Sequence, residues 1–317
     1  MKIGIVGQGA IGSLLAYYFK DLAPVLLVKN LETNAKEIVD IKGQKSLLDF
    51  EKMLVNAPRK QYTIAYVFDC LIISVKGYQL PLLICHIKPW LDIKTRLVII
   101  QNGMGGAQLL AEAFPNNLIY AGTTTDAIYA TSQNNYQIAA IGHLDIGPLW
   151  EMLEPAQYSP KSLKTNTYSA QKEKRWIEQF LNFHPHAIYH KNVSQALYIK
   201  LAINAVINPL TAILQIKNGR LREYSQKVEI LKQEIFAVYS AIELEYFPEA
   251  LSQAIDIVIE VTSGNWSSMC QDVKHKRLTE NEMVLGYLIK MAQTKNISTP
   301  FMSDLYSQIA SLDAAHT

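Results

Sequence analysis

The sequence predicts an α/β chain: a doubly wound parallel sheet with an antiparallel extension in its first part, and an all-α second domain. Three observations carry this. Short β-branched runs alternate with helical stretches from residue 2 to about 103. Those runs are apolar without alternation, as strands covered on both faces are. After about residue 191 the strand signal disappears. Strand and helix in alternation build a parallel sheet with helices on its faces. The 317 residues, 49% hydrophobic and 18% charged, suffice for two domains, read as 1–190 and 191–317.

Taken in order, "KIGIV" (2–6) is a strand, "AIGSLLAYYFK" (10–20) a helix and "PVLLV" (24–28) a second strand. The stretch 31–66 shows no pattern that assigns it. "DCLIISVK" (69–76) is a fully apolar strand, "YQLPLLICHIKPW" (78–90) a helical stretch interrupted early by Pro81, and "TRLVIIQNG" (95–103) another strand. Over 118–147, "LIYAGTTTDAIYA", "YQIAAIG" and "HLDIGP" read as short strands joined by polar turns such as "SQNN", extending the sheet antiparallel. "QKEKRWIEQFLNF" (171–183) is an amphipathic helix, and "AIYH" (187–190) a last strand. Beyond 191, "VSQALYIKLAINAVINPLTAILQI", "KVEILKQEIFAVYSAIELE", "ALSQAIDIVIEVT", "SSMCQDVKHKR" and "NEMVLGYLIKMAQTK" all read as helices.

Composition narrows the function. The net charge of +2 supports neither a nucleic-acid nor a membrane-surface partner. Cys70, Cys85 and Cys270 are too few for a disulfide framework and lack metal-ligand spacing, so they read as buried thiols in a reducing compartment. Residues 3–19 are uncharged, but three glycines interrupt them and no small-residue cleavage site follows. No other stretch approaches the ~20 apolar residues of a membrane span, and the expected location is the cytoplasm. In "HPHAIYH", His184, His186 and His190 read as surface histidines, and no metal is expected.

The first chemical motif is "GIVGQGAIG", with Gly7, Gly9 and Gly12 in G-x-G-x-x-G spacing. It follows a strand and opens a helix, the context that gives the spacing its meaning in a Rossmann-type dinucleotide site. Gly7 allows the turn, Gly9 admits a pyrophosphate, and Gly12 lets helix and strand pack closely. The helix N-terminus supplies N–H donors and a partial positive charge. Where NAD sites place an acidic residue after the second strand, this chain has Lys29. Lys76 closes the "LIISVK" strand beside Gln79. Either lysine alone also reads as a solvated strand end; the pair favours the 2′-phosphate of NADP.

The second motif is a row. "KLAINAVINPLTAIL" (200–214) is apolar nearly all round except for Lys200, Asn204 and Asn208. A helix turns about 100° per residue, so these three share one stripe. A buried ammonium loses proton affinity and can act as a general acid near neutral pH. Alternatively, Lys200 reaches the surface and the amides bond a neighbouring helix. Pro209 would kink this helix, and "KNG" (217–219) would end it with Gly219 in a left-handed position. In a third cluster, "SSMCQDVKHKRLTENE" (267–282), Glu280 reads either as a site carboxylate or as the third residue of a helix cap.

Together "GIVGQGAIG", "SVKGYQ", "QNGMGG", "AGTTTDA", "KLAINAVINPLTAI…KNG" and "SSMCQDV…RLTE" resemble, in order and spacing, the ketopantoate reductases. These are NADPH-dependent 2-dehydropantoate 2-reductases of pantothenate synthesis. The resemblance runs from Met1 to about Lys295. It implies that Lys200 is the general acid and Glu280 the substrate-binding and catalytic carboxylate. It implies that Ser268 holds the substrate carboxylate, and that Asn102, Asn204, Asn208 and Asn218 are amide contacts to substrate. Asn102 would lie between nicotinamide and substrate. The cofactor positions are Gly7, Gln8, Gly9, Ala10, Ile11, Gly12, Lys29, Lys76, Gln79, Asn102, Ala127 and Glu280. The partner is then a small molecule, with hinge motion near residue 190, in a monomer or homodimer. Lys29 replaces the arginine of several members, keeping charge without the two-pronged contact. A dehydrogenase of another hydroxy acid and a non-catalytic NADP-binding redox sensor are the competing readings.

Overall fold

A computed structural model describes residues 1–32, 35–56, 68–152, 159–160, 170–244 and 247–315. The chain divides into two compact units. The first comprises Met1–Gln101 and Gly106–Val193; the second comprises Asn102–Gly105 and Ser194–Thr317. The division thus falls at 193/194 rather than 190/191, and a four-residue loop from the first half of the chain belongs to the second unit.

In the first unit an eight-stranded sheet runs in the order β12-β11-β8-β7-β6-β1-β2-β5. Its strands are β1 (Ile3–Val6), β2 (Val25–Val28), β5 (Lys52–Leu54), β6 (Cys70–Ile73), β7 (Arg96–Ile100), β8 (Ile119–Thr124), β11 (Leu144–Pro148) and β12 (Ala187–Tyr189). From β5 to β8 every pairing is parallel. β11 then pairs antiparallel with β8 and parallel with β12. The central strands are apolar because both faces are covered: Cys70, Leu71, Ile72 and Ile73 are fully buried.

The remaining strands depart from expectation. The 118–147 region does not all extend this sheet. β9 (Ala127–Ser132) and β10 (Asn135–Ala140) form a hairpin in a separate four-stranded sheet with β3 (Lys36–Val39) and β4 (Lys45–Leu48), in the order β4-β3-β10-β9. β3 and β4, with β5, occupy the stretch that showed no sequence pattern; residues 57–66 of that stretch lie outside the described residues. Helix α1 (Ala10–Tyr18) is buried on consecutive residues Gly12 to Ala16. That needs cover on two sides: Leu14, Leu15 and Ala16 share a core with Ile5 and Ile72 of the large sheet and with Ile38, Leu48, Tyr136 and Ile138 of the small one.

α2 (Leu80–Ile87) carries Pro81 in its first turn rather than being interrupted by it, because proline fits the first helical turn. α3 (Gly106–Ala113) follows β7. α4 (Ala170–Leu181) adds Trp176 and Phe180 to the core. It is anchored by Arg96, whose Nε and a terminal nitrogen donate to the Glu173 carboxylate at 2.9 and 2.6 Å, and Tyr120 donates to the same carboxylate. His184 is not a surface histidine: it is buried with Nε2 3.0 Å from Asp126 Oδ2. Cys85 is exposed, whereas Cys70 and Cys270 are buried as expected. Among the described residues no His, Cys, Asp and Glu group suits a metal.

The second unit is helical: α5 (Ser194–Leu214), α6 (Ser225–Ala241), α7 (Pro248–Val261), α8 (Ser268–Lys274), α9 (Tyr287–Thr294) and α10 (Pro300–Ala314). No sequence pattern had marked α10. α5 is long and apolar enough to cross a membrane, which the composition reading overlooked, but 61% of its most apolar window is buried inside the protein, as in a core helix. Pro209 lies inside α5 without ending it. The left-handed residue after α5 is Gln215 (φ 53°), not Gly219. Gly219 sits in a 3-10 stretch, Asn218–Tyr224, where a Cβ would meet Ser263 at 2.6 Å.

Candidate active site

At the carboxyl edge of the large sheet, β1 pairs with β2 on one side and β6 on the other, Val6 opposite Leu27 and Ile73. Chain order reverses at β1, and open α/β sheets bind ligands outside the strand ends at such a point. Gly7, Lys29 and Lys76 leave the sheet along this edge. Gly7 has φ 101°, and a Cβ there would strike the Ser74 backbone at 2.7 Å. Ser74 Oγ donates to the carbonyls of Val6 and Gly7 at 3.2 and 3.3 Å, tying the β1 and β6 ends together. A Cβ on Gly12 would lie 1.7 Å from the Gly7 oxygen, so α1 can start this close only with glycine.

These residues fit a dinucleotide. Gly9 is the N-cap of α1 and has no side chain of its own to bond the first N–H groups, and the space where its Cβ would stand is open. Ala10 and Ile11 form the first turn. Gln8 Nε2 is buried without a hydrogen-bond partner among the described residues. Lys29 is exposed directly after β2. Lys76 is half-buried three residues beyond β6, where its N–H donates to Gln79 Oε1 at 3.2 Å in a capped 3-10 turn. Ala127 opens β9 in the small sheet instead of standing in the large one. Sequence reasoning missed Lys36 and Tyr136, which bond the Gln8 carbonyl from that small sheet. Both lie outside any motif.

The second unit gathers the other residues. Lys200, Asn204 and Asn208 lie on α5. Lys200 and Asn204 are half-buried and Asn208 is buried, so the row descends from the surface into the core. Asn102, two residues past β7, donates from Nδ2 to Glu280 Oε2 at 3.3 Å. The contact depends on Gly103: its φ of 76° lies in the left-handed region, and a Cβ would meet the Met283 oxygen at 2.3 Å. Met104 N–H then donates to that Met283 carbonyl at 2.9 Å. Met283 lies in a π-helical turn, Glu282–Gly286, a distortion common beside functional sites. Glu280 is not a third-position cap; it precedes this turn, and its carbonyl accepts from Met283 and Val284.

Asn218 is buried. Its Nδ2 donates to Thr262 Oγ1 at 2.9 Å, while its Oδ1 has no partner among the described residues. The two serines divide their work. Ser267 is buried, caps α8 by accepting from Cys270 N–H and lies 2.7 Å from Thr211 Oγ1. Ser268 is exposed in the first turn of α8.

Family models for "Ketopantoate reductase PanE/ApbA" match residues 3–151, and its C-terminal counterpart matches 192–313. The chain belongs to the ketopantoate reductase family. The 2-dehydropantoate 2-reductase of Vibrio cholerae is 29% identical over 99% of this chain and 98% of its own. That of Shigella flexneri is 30% identical over 76% and 73%. Among solved structures, the probable 2-dehydropantoate 2-reductase of Bacillus subtilis aligns with a TM-score of 0.76 at 24% identity, over 98% of this chain and 100% of that one. D-mandelate dehydrogenase with NADH and anilino(oxo)acetate aligns at 0.83 with 19% identity, over 100% and 99%. The reductase family's α/β unit followed by a helical unit is the architecture seen here.

Proposed function

We propose that this chain is a 2-dehydropantoate 2-reductase of pantothenate biosynthesis, acting in the cytoplasm as a monomer or homodimer and converting the C2 ketone of ketopantoate to the hydroxyl of (R)-pantoate. NADPH, when bound, supplies the hydride to that carbon. The glycine turn and the α1 N-terminus hold its pyrophosphate, and Lys29 with Lys76 and Gln79 holds its adenosine 2′-phosphate end. Lys200 is the catalytic residue for the proton: negative charge grows on the carbonyl oxygen, and the ammonium stabilises and then neutralises it.

Glu280 accepts from a substrate hydroxyl, and its negative charge keeps Lys200 protonated. Asn102 orients that carboxylate. Ser268 holds the substrate carboxylate, and Asn204, Asn208 and Asn218 hold the remaining oxygens. Asn218 Oδ1, without a donor among the described residues, suits a substrate hydroxyl, since a buried acceptor without a donor is costly.

The observation that carries this reading is the Asn102–Glu280 bond across 178 residues, inside the unit that contains Lys200. The test is NADPH consumption on adding ketopantoate. Lys200→Ala should cut turnover by roughly 10²–10⁴, and a loss below about tenfold would remove Lys200 from the mechanism.

A further inference from the structure

The stretch without a sequence pattern places a lysine behind the glycine turn. Lys36 opens β3 of the small sheet, and it is buried, which lysines rarely are unless paired. Its Nζ donates to the backbone carbonyl of Gln8 and to Ser13 Oγ at 3.2 Å, and stands 5.3 Å from the centre of the Tyr136 ring. Tyr136, from β10 of the same sheet, donates its hydroxyl to the same Gln8 carbonyl at 3.2 Å. Two donors from one sheet converge on the peptide that joins Gln8 to Gly9. The other end of that peptide is the Gly9 N–H, where α1 begins, and the space where a Gly9 Cβ would stand is open.

A buried ammonium in this place calls for a reason beyond packing. Burial, and then the charge of Lys52, lower its proton affinity to a pKa of about 8. An apolar side chain would fill the same volume without that cost. What an apolar side chain cannot do is polarise a peptide. A carbonyl bonded to a cation makes the N–H of the same peptide a stronger donor. The cation also adds positive potential behind a turn whose ligand is a dianion.

We infer that Lys36, assisted by Tyr136, sets and polarises the Gln8–Gly9 peptide for the pyrophosphate of the dinucleotide, making the small sheet part of the cofactor-binding machinery. The inference rests on the dinucleotide reading of the turn. Lys36 touches the turn and not the ligand, so it is a positioning residue.

The test compares two ligands by calorimetry on the full-length protein. NADP⁺ carries both the 2′-phosphate and the pyrophosphate; 2′-AMP carries only the former. Lys36→Met should weaken NADP⁺ binding about tenfold, or about 1.4 kcal/mol, while 2′-AMP affinity stays within about twofold. Tyr136→Phe, which loses one neutral donor, should weaken NADP⁺ about threefold and spare 2′-AMP. Unchanged NADP⁺ affinity in both variants overturns the inference, as does an equal loss for both ligands, which would mean general damage. If Lys36→Met does not fold, unchanged NADP⁺ affinity in Tyr136→Phe overturns it alone. Wild-type protein that binds neither ligand would overturn the dinucleotide reading itself, a result distinct from either variant outcome.

Discussion

Lys200, Asn204 and Asn208 share a stripe of α5 but not an environment, since only Asn208 is buried. Periodicity places three residues on one face; depth follows from what packs above them. The same limit applies to the adjacent serines. Ser267 and Ser268 look alike in sequence, yet one is a buried cap and the other is exposed. Lys29 carries the residue-scale prediction. It is the exposed cation directly after β2, where an acidic residue would select the ribose hydroxyl of NAD. Lys29→Glu should lower the NADPH-to-NADH ratio of kcat/KM by about tenfold or more, most clearly at low ionic strength, where screening is weakest. An equal ratio in mutant and wild type would mean that another side chain reads the 2′-phosphate.

At the scale of elements, the loop 102–105 and the π-helical turn 282–286 form one device. "QNGMGG" was legible as a motif, but its partner was not, because nothing local in "TENEMVLG" signals a π-turn. The Gly103 conformation is what brings the loop onto the Met283 carbonyl and Asn102 onto Glu280. Gly103→Ala would impose a left-handed alanine and a backbone clash, each a cost of about 1–3 kcal/mol. Its urea midpoint should fall, and its turnover should fall further than stability alone explains, because Asn102 would leave Glu280. Wild-type turnover in a destabilised Gly103→Ala would separate the loop from the chemistry.

At the scale of the whole molecule, buried polar groups staple distant segments. Asp126 and His184 are one such pair in the first unit, both buried to about 2% side-chain exposure. Burial pushes the Asp126 carboxyl up, but hydrogen bonds from His184, Thr124 and the Gly142 N–H outweigh it and hold its pKa below the ordinary 3.8. The folded form therefore binds its proton less readily than the unfolded form does. The stability this contributes is complete above pH 3.8 and is lost as pH falls through the lower folded value. Plotted against pH, the urea midpoint of Asp126→Asn should lie below wild type at neutral pH, and the gap should narrow below 3.8. A constant gap would assign the loss to geometry rather than charge.

By itself the sequence determined what short-range pattern can encode. The parallel core followed from uninterrupted apolar runs, the glycine turn from its spacing beside a strand, and the helical second unit from the loss of the strand signal after about residue 191. Only the tertiary structure decided the rest. The small sheet pairs β3 with β10, and Gln137 reaches the Val39 carbonyl across 98 residues. Strands of four residues such as β3 and β4 are too short to be stable alone, so no local signal announces them. Lys36 shows the reason in one side chain. Along the chain it is a charge expected at the surface; it is buried because Ser13 of α1 and Tyr136 of β10, from elsewhere in the sequence, meet around it, and because Gln8 presents a carbonyl there.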